Sequence, residues 1–347
     1  MSEALDCGTC WFRALRPHGR HLVLRRGLAV FATVPDTPAQ REVLELAHVP
    51  FAIGDDYLAL IGDASEKLAS VFKATCRDLL PYGDLPADDP VVRQAIAILV
   101  ESLLPQVESA GEVCCLIRCG GGESNPGRLS RRTEFFSRLV RLRGYRPVEL
   151  SAGMAVVLAG LSDQGFTGIG MDLGASGCDI AVAHRGVPVA SCWVPRGGRW
   201  IDEQLARRQQ WFQREPNGGL RPDIVRAGPT KLSKQGSVNN PSGANENLFA
   251  GLYRGILTPA VEQLGRMLST CGEATLRACP PLTIACSGGA TGVSGFAELL
   301  QRLVREMPLA VPIGSVRVAA DREHAVLRGG LIHAEIEHVG QRSRPAA

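Results

Sequence analysis

The sequence contains no apolar run long enough to cross a lipid bilayer. The longest candidate, Val91 to Leu104, is interrupted by Arg93 and Glu101, whereas a spanning helix needs about 20 apolar residues. The chain also lacks an excess of charge, because 38 Lys and Arg oppose 35 Asp and Glu in 347 residues. A formal net charge of +3 gives no overall field that would attract nucleic acid. We therefore predict no transmembrane segment and no nucleic-acid partner.

A disulfide or zinc framework is also missing from the sequence. The 11 cysteines are scattered, and most lie in apolar, strand-like runs such as Val113 to Ile117, where a free thiol behaves as a small hydrophobe. Cys7 and Cys10 form a C-x-x-C, but no second C-x-x-C or histidine pair accompanies them at zinc spacing. Because no secretory signal is evident at the start, this distribution predicts a reduced, cytoplasmic protein.

The length of the chain predicts two domains of about 150 residues each. Repeated strand-then-helix segments indicate the α/β class, with helices packed on β-sheets. We place the first domain at residues 1–150 and the second at 151–320, and expect a C-terminal helix, 321–347, to pack back on the first. The stretch 215–247 is polar and rich in Pro, Gly and Asn, and it predicts a mobile loop.

Two short segments about 165 residues apart share one pattern. Asp6-Cys7-Gly8-Thr9-Cys10 and the segment from Asp172 to Gly177 each place an aspartate at the end of an apolar strand, before a small, glycine-containing turn. Glycine lets backbone N–H groups approach anionic oxygens closely, and the aspartate can hold a hydrated Mg²⁺ against the same oxygens. The pattern predicts two loops that bind a phosphate chain.

A third segment completes a nucleotide-binding pattern. The apolar run from Leu282 to Ser287 leads into Gly288-Gly289 and then into a helix predicted from about Ser294 to Arg305. A strand, a double glycine and a helix N-terminus together suit a nucleoside and its α-phosphate. A single D-x-G turn is more often a plain β-turn, so the prediction depends on the order and spacing of all three segments.

In this order the segments resemble the actin, Hsp70 and sugar-kinase superfamily of ATPases, and most closely the bacterial actin-like MreB group. The resemblance implies an actin-like (ribonuclease H-like) two-domain α/β fold with a nucleotide cleft between the domains. It extends to Gly197–Glu203, which is similar to a G-G-D-x-x-D-E segment of that family. It also includes Ala319–Gly330, which is similar to the segment where a helix returns to the first domain.

The resemblance assigns a role to individual residues of an ATP site. Asp6 and Asp172 would hold Mg²⁺ through water. The phosphates would be bound by Gly8, Thr9 and Cys10 of the first turn and by Gly174, Ala175, Ser176 and Gly177 of the second. The residues expected to complete the nucleotide site are Gly198, Asp202, Lys231, Gly288, Gly289 and Ala290.

Ser151 stands where the family carries a group that orients the attacking water. Relatives supply Glu or Gln there, whereas serine is shorter and uncharged, and losing such a group typically costs on the order of 10²–10⁴ in rate. Glu149 would point to the other side of an extended chain. We therefore predict that ATP is bound more securely than it is hydrolysed, which describes a weak ATPase or a pseudo-ATPase.

Three functions remain open at this point. The resemblance favours an MreB-like cytoskeletal or scaffold protein that binds ATP or ADP, assembles into filaments and contacts proteins at the cell envelope. A small-molecule kinase of the same superfamily would use Asp172 or Asp179 as a general base. A nucleotide-free adaptor would keep the fold without the ligand.

Overall fold

A computed structural model describes residues 2–69, 71–86, 89–107, 111–118, 126–214, 218–228, 236–270, 276 and 279–342. The chain divides into two compact units. Unit 1 comprises Met1–Cys119, Ser124–Leu150 and Gly330–Ala347, and unit 2 comprises Gly120–Glu123 and Ser151–Gly329.

The larger sheet of unit 1 has five strands, which are β1 (Ser2–Cys7), β2 (Trp11–His18), β3 (His21–Leu28), β8 (Val113–Arg118) and β9 (Arg146–Ser151). Their order in the sheet is β3-β2-β1-β8-β9. The first three strands form an antiparallel meander, and β8 pairs with β1 in parallel. All six residues of β1 are buried. The central strand β1 therefore lies within the core, and Asp6 is near its C-terminal end.

A second, four-stranded sheet of unit 1 consists of β4 (Val30–Pro35), β5 (Phe51–Ile53), β6 (Tyr57–Ile61) and β7 (Cys76–Asp78). The helices of this unit are α1 (Pro38–Leu46), α2 (Asp63–Ala69), α3 (Pro90–Leu103) and α4 (Pro126–Leu142). Helix α3 is capped at its N-terminus, because the Asp89 carboxylate accepts a 3.0 Å hydrogen bond from the N–H of Val92, and Pro90 occupies the first turn.

Unit 2 repeats the strand order of the larger sheet of unit 1. Its strands are β10 (Gly168–Leu173), β11 (Cys178–His184), β12 (Val187–Val194), β15 (Leu282–Ser287) and β16 (Ile313–Val318). They lie in the order β12-β11-β10-β15-β16, again an antiparallel meander followed by parallel strands. The repeated topology accounts for the repeated aspartate, since β1 and β10 are equivalent central strands and Asp6 and Asp172 lie near their ends.

The helices of unit 2 are α5 (Ala152–Gly160), α6 (Gly198–Arg208), α7 (Ala244–Thr270) and α8 (Phe296–Glu306), and α9 (Ala325–Arg342) closes the chain. Seven consecutive residues of α5 are buried, as expected for a helix that is apolar on every face. Phe249, Tyr253 and Phe296 are among the largest side chains of the unit 2 core. No helix within the described ranges is both long enough and apolar enough to cross a bilayer.

The stretch 215–247, which the sequence predicts as a loop, contains regular structure. Strand β13 (Phe212–Arg214) pairs with β14 (Leu220–Pro222), and residues 224–228 are helical. The Asp223 carboxylate accepts from the N–H of Arg226 at 3.0 Å, and Glu246 accepts from the N–H of Ser242 at 2.6 Å. Because the same polar residues that favour turns also cap helices, the loop prediction is wrong for these parts of the stretch.

A carboxyl group is buried in the larger sheet of unit 1. Glu3 is 2% exposed, and its Oε2 accepts a 2.7 Å hydrogen bond from the Tyr145 hydroxyl. Burial raises the pKa of Glu3 above its ordinary value, while the Tyr145 hydrogen bond and Arg16 lower it in part. Folding therefore favours the protonated form, and stability falls as the pH rises from the unfolded-state pKa through the higher folded-state pKa.

We expect Glu3→Gln to be more stable than wild type at about pH 7. The difference in free energy of unfolding between the two proteins should be smaller at about pH 4, where Glu3 is largely protonated in the folded state. Glutamine keeps an oxygen for the Tyr145 hydroxyl but cannot ionise. Urea denaturation of both proteins at the two pH values measures the difference. An equal effect at both values contradicts the assignment.

Candidate functional site

The turn between β10 and β11 is a closed hairpin loop. The N–H of Gly174 donates to the carbonyl oxygen of Gly177 at 2.9 Å. Asp172 is paired with Asp179, one residue pair before the strands end at Leu173 and Cys178. The segment Gly174, Ala175, Ser176 and Gly177 therefore forms a compact, partly exposed loop.

Helix α6 contacts this turn through backbone hydrogen bonds. The N–H groups of Gly198 and Arg199, in its first turn, donate to the carbonyl oxygens of Gly174 and Ala175, both at 2.9 Å. Gly197 permits the contact, because a Cβ at this position would lie 2.3 Å from the oxygen of Gly174. The N–H of Gly198 thus supports this turn. Contact between Gly198 and a nucleotide stays a prediction. Asp202 lies one turn further along α6, and Lys231 lies outside the described residues.

Asp172 is linked to the third predicted segment by a short hydrogen bond. Its Oδ1 accepts from the Ser287 hydroxyl at 2.7 Å, and the two residues are paired across the parallel strands β10 and β15. Ser287 was not among the predicted site residues. Its position directly before Gly288-Gly289 is the signal that could have identified it, since parallel pairing brings the ends of neighbouring strands together.

Gly288, Gly289 and Ala290 follow β15 directly and lie beside the phosphate turn. Gly288 has φ +97° and ψ 155°, a conformation that is essentially limited to glycine. A Cβ there would lie 2.2 Å from the carbonyl oxygen of Leu173. Gly289–Gly292 form a 3₁₀ turn, and α8 begins at Phe296. The helix therefore starts two residues later than predicted, and this 3₁₀ turn separates its N-terminus from the double glycine.

Ser151 caps helix α5. Its hydroxyl accepts a 3.3 Å hydrogen bond from the N–H of Met154, while Asp179 Oδ1 accepts from the N–H of Gly153 at 2.9 Å. Both acceptors satisfy N–H groups of the first helical turn that have no partner within the helix. Ser151, which stands at the water-orienting position of the family, thus caps a helix, as does Asp179, one of the two candidate general bases.

Asp6, the aspartate of the first turn, forms an ion pair. Its carboxylate is 2% exposed, and Oδ2 accepts from Nη2 of Arg13 at 2.6 Å and from Nε at 3.2 Å. Arg13 lies directly opposite Asp6 in the register of β1 and β2. A Mg²⁺ ion held through water at Asp6 would compete with this guanidinium, whereas Asp172 accepts a hydrogen bond from the neutral hydroxyl of Ser287.

Gly8, Thr9 and Cys10 connect β1 to β2. A second arginine braces this turn, because Arg132 Nη2 donates to the carbonyl oxygen of Cys7 at 2.5 Å and Nη1 donates to that of Gly83 at 2.9 Å. Neither Arg13 nor Arg132 could be identified from the sequence. Arg132 lies on a helix 125 positions away from Cys7, and the position of Arg13 depends on the register of β1 and β2.

The C-x-x-C of this turn does not have the features of a metal site. Burial raises the pKa of the Cys7 thiol well above its ordinary value, and Asp6 raises it further, so the thiol keeps its proton. Within the described ranges, no group of three or more His, Cys, Asp and Glu side chains is arranged to hold a metal ion. Mg²⁺ commonly keeps several waters and binds through one or two carboxylates and the substrate phosphates, so this arrangement is compatible with the predicted ATP-bound ion.

The repeated five-stranded sheets, each with an aspartate turn at its central strand, define the chain as a protein of the actin-like fold. The chain belongs to the Volactin family, whose model matches residues 1–334. Solved structures with the same fold confirm the predicted actin-like α/β class. No curated protein sequence matches the chain.

Solved structures of MamK share the fold. A structure titled as a MamK double helical filament is 17% identical, with a TM-score of 0.68 over 96% of this chain and 99% of that one. A non-polymerising MamK mutant bound to AMPPNP is also 17% identical, with a TM-score of 0.60 over 96% and 98% of the two chains. Similarity at this level of identity establishes the fold.

Proposed function

We propose that this protein is an actin-like scaffold that binds ATP and Mg²⁺, assembles into filaments in the cytoplasm and hydrolyses ATP slowly or not at all. The observation that carries the proposal is the arrangement in unit 2 of Asp172, the Gly174–Gly177 turn and Gly288-Gly289. These groups come from two separate stretches of sequence, and the pairing of β10 with β15 brings them to the same end of the sheet. The structures of MamK, as a filament and with AMPPNP, support both parts of the proposal.

The end of this sheet at which Asp172 and Gly288 lie is suited to an anionic ligand with a bound cation. The small residues of the Gly174–Gly177 turn leave the backbone accessible to phosphate oxygens. Asp172 contributes one carboxylate, which Ser287 orients, and a hydrated Mg²⁺ bound to phosphates needs only one or two such ligands. Gly289 leaves room for a nucleoside beside the turn, because a Cβ there would meet no atom within 4 Å. Phosphate contact by Gly8, Thr9 and Cys10 stays a prediction, as do partners at the cell envelope.

Slow hydrolysis follows from the engagement of the candidate catalytic groups. Ser151 and Asp179 both accept from N–H groups of the first turn of α5, which holds both side chains at the start of that helix, and Ser151 has no charge with which to activate a water molecule. Moving either acceptor would leave a helix terminus unsatisfied, at a cost of about 1 kcal/mol. The same contact constrains the kinase alternative, because Asp179 Oδ1 holds the helix start and a general base at this position would have to act through the other carboxylate oxygen.

Calorimetric titration with ATP or AMPPNP and Mg²⁺ tests the nucleotide site. We expect micromolar binding to the wild type and a loss of about 100-fold or more in Asp172→Ala, because the variant lacks the carboxylate that holds the cation. Asp163→Ala is the matched control, since Asp163 pairs with Arg317 at an exposed position of the same unit. Equal affinity in Asp172→Ala and Asp163→Ala would exclude the site.

Pelleting after incubation with ATP, AMPPNP, ADP or no nucleotide tests assembly. We expect sedimentation with ATP and AMPPNP that Asp172→Ala abolishes and Asp163→Ala retains. Phosphate release measured on the same samples reports turnover. Tight binding without any pelleting would overturn the filament part of the proposal while leaving the nucleotide site in place.

A further inference from the structure

A cavity of about 470 Å³ opens at the end of the unit 2 sheet that lies away from the phosphate turn. It is located where β11 ends at His184 and β15 begins at Leu282. Asp172 and the turn lie near the other end of these strands, and a six-residue strand spans about 20 Å. The volume is within the range of small-molecule sites. This cavity is therefore separate from the proposed nucleotide site.

A thiol and an imidazole meet in this cavity. The Sγ of Cys279 and the Nδ1 of His184 are 3.7 Å apart, a hydrogen-bond distance for sulfur. A neutral imidazole that accepts the thiol proton leaves a thiolate, which is the nucleophilic form of cysteine. Cys279 is also partly exposed, unlike Cys178 and Cys286 in the same sheet, whose thiols are buried. Burial raises the pKa of both sheet thiols, so they are expected to be inert.

Positive charge and hydrogen-bonding groups line the same cavity. Arg185 follows His184 at the tip of the β11–β12 hairpin, and its N–H donates to the Thr167 hydroxyl at 2.9 Å. A guanidinium in the cavity wall attracts a carboxylate. The side chains of Gln164 and Thr283 add polar groups to the wall. The cavity thus combines a nucleophile, a proton acceptor and a site for an anion.

We propose that Cys279 is a reactive thiol that undergoes exchange with small disulfides bearing carboxylates. The Cys279 proton moves to His184, and the thiolate attacks one sulfur of the disulfide R–S–S–R. The R–S–S–R bond breaks as a Cys279–S–S–R bond forms, and the leaving thiolate takes the proton from His184 to become R–SH. One disulfide replaces another, so no further oxidant is needed.

Incubation of the full chain with oxidised glutathione, followed by peptide mass spectrometry over time, tests this site. We expect Cys279 to be modified about tenfold or more faster than Cys10, Cys76 and Cys192, the other partly exposed thiols that the structure describes. His184→Gln is expected to slow the reaction about tenfold without lowering the Tm. Modification of Cys279 no faster than Cys192, or an unchanged rate in His184→Gln, would overturn the proposal.

Cystamine, a disulfide with two ammonium groups, is the matched probe for the role of Arg185. The ratio of the rates with oxidised glutathione and with cystamine is expected to fall about threefold or more in Arg185→Gln, because the variant lacks the cation that attracts a carboxylate. An unchanged ratio would overturn the preference for anionic disulfides. Because both readouts are made without nucleotide, failure here is distinct from failure of the proposed ATP site.

Discussion

The variant Gly288→Ala is expected to lose about 3–5 kcal/mol of stability, which corresponds to a fall in Tm of about 10 °C for a unit of this size. Its φ of +97° and ψ of 155° are unfavourable for any residue with a Cβ. The added methyl group would also lie 2.2 Å from the carbonyl oxygen and 2.5 Å from the carbonyl carbon of Leu173. These are backbone atoms of a central strand, and they cannot rotate aside as a flexible side chain could.

The neighbouring glycine provides a matched control for this prediction. A Cβ at Gly289 would meet no atom within 4 Å, and its φ lies outside the left-handed region. Gly289→Ala is therefore expected to change the Tm by no more than about 2 °C. Thermal unfolding followed by circular dichroism compares the two variants. Equal shifts would show that the close contact between Gly288 and Leu173 does not limit stability.

The parts of the site that could be predicted from sequence are those encoded locally. An aspartate at the end of an apolar strand, followed by glycine and small residues, identifies the turn after Asp172, because strand and turn preferences both act over a few residues. The double glycine after β15 was identified in the same way. The repeated pattern also gave the correct fold, since each half supplies a similar central strand.

The partners of these residues could not be predicted because they depend on sheet register. Ser287 reaches Asp172 only because β15 pairs with β10 in parallel, 115 positions away in sequence. Arg13 is close to Asp6 in sequence, but a shift of one residue between β1 and β2 would place it on the opposite face. The capping of α5 by Asp179 likewise depends on where the helix packs against the sheet. Tertiary packing thus determines how each predicted residue is engaged.

Removing the guanidinium from the buried Asp6 is expected to produce the second large effect. Arg13→Ala should lower the free energy of unfolding by about 3 kcal/mol, because it breaks the ion pair of a buried carboxylate. The Asp6 side chain is 3% exposed and that of Arg13 is 22% exposed, so water can replace the lost partner only in part. Chemical denaturation of the full chain measures the change.

Arg20→Ala is the control, because it removes the same charge from an exposed position between β2 and β3, and it should change stability by less than about 0.5 kcal/mol. The single variant Arg13→Leu separates loss of the cation from loss of packing, because leucine keeps an aliphatic side chain at this position. If loss of the ion pair causes the change, Arg13→Leu is expected to be about as unstable as Arg13→Ala, and the double variant Asp6→Leu with Arg13→Leu is expected to be more stable than either, since removing both charges removes the desolvation cost. An Arg13→Leu variant as stable as wild type would instead assign the loss to the aliphatic part of Arg13. In that case Asp6 would tolerate the absence of its cation, which is the property that a magnesium ligand exchanging its ion would require.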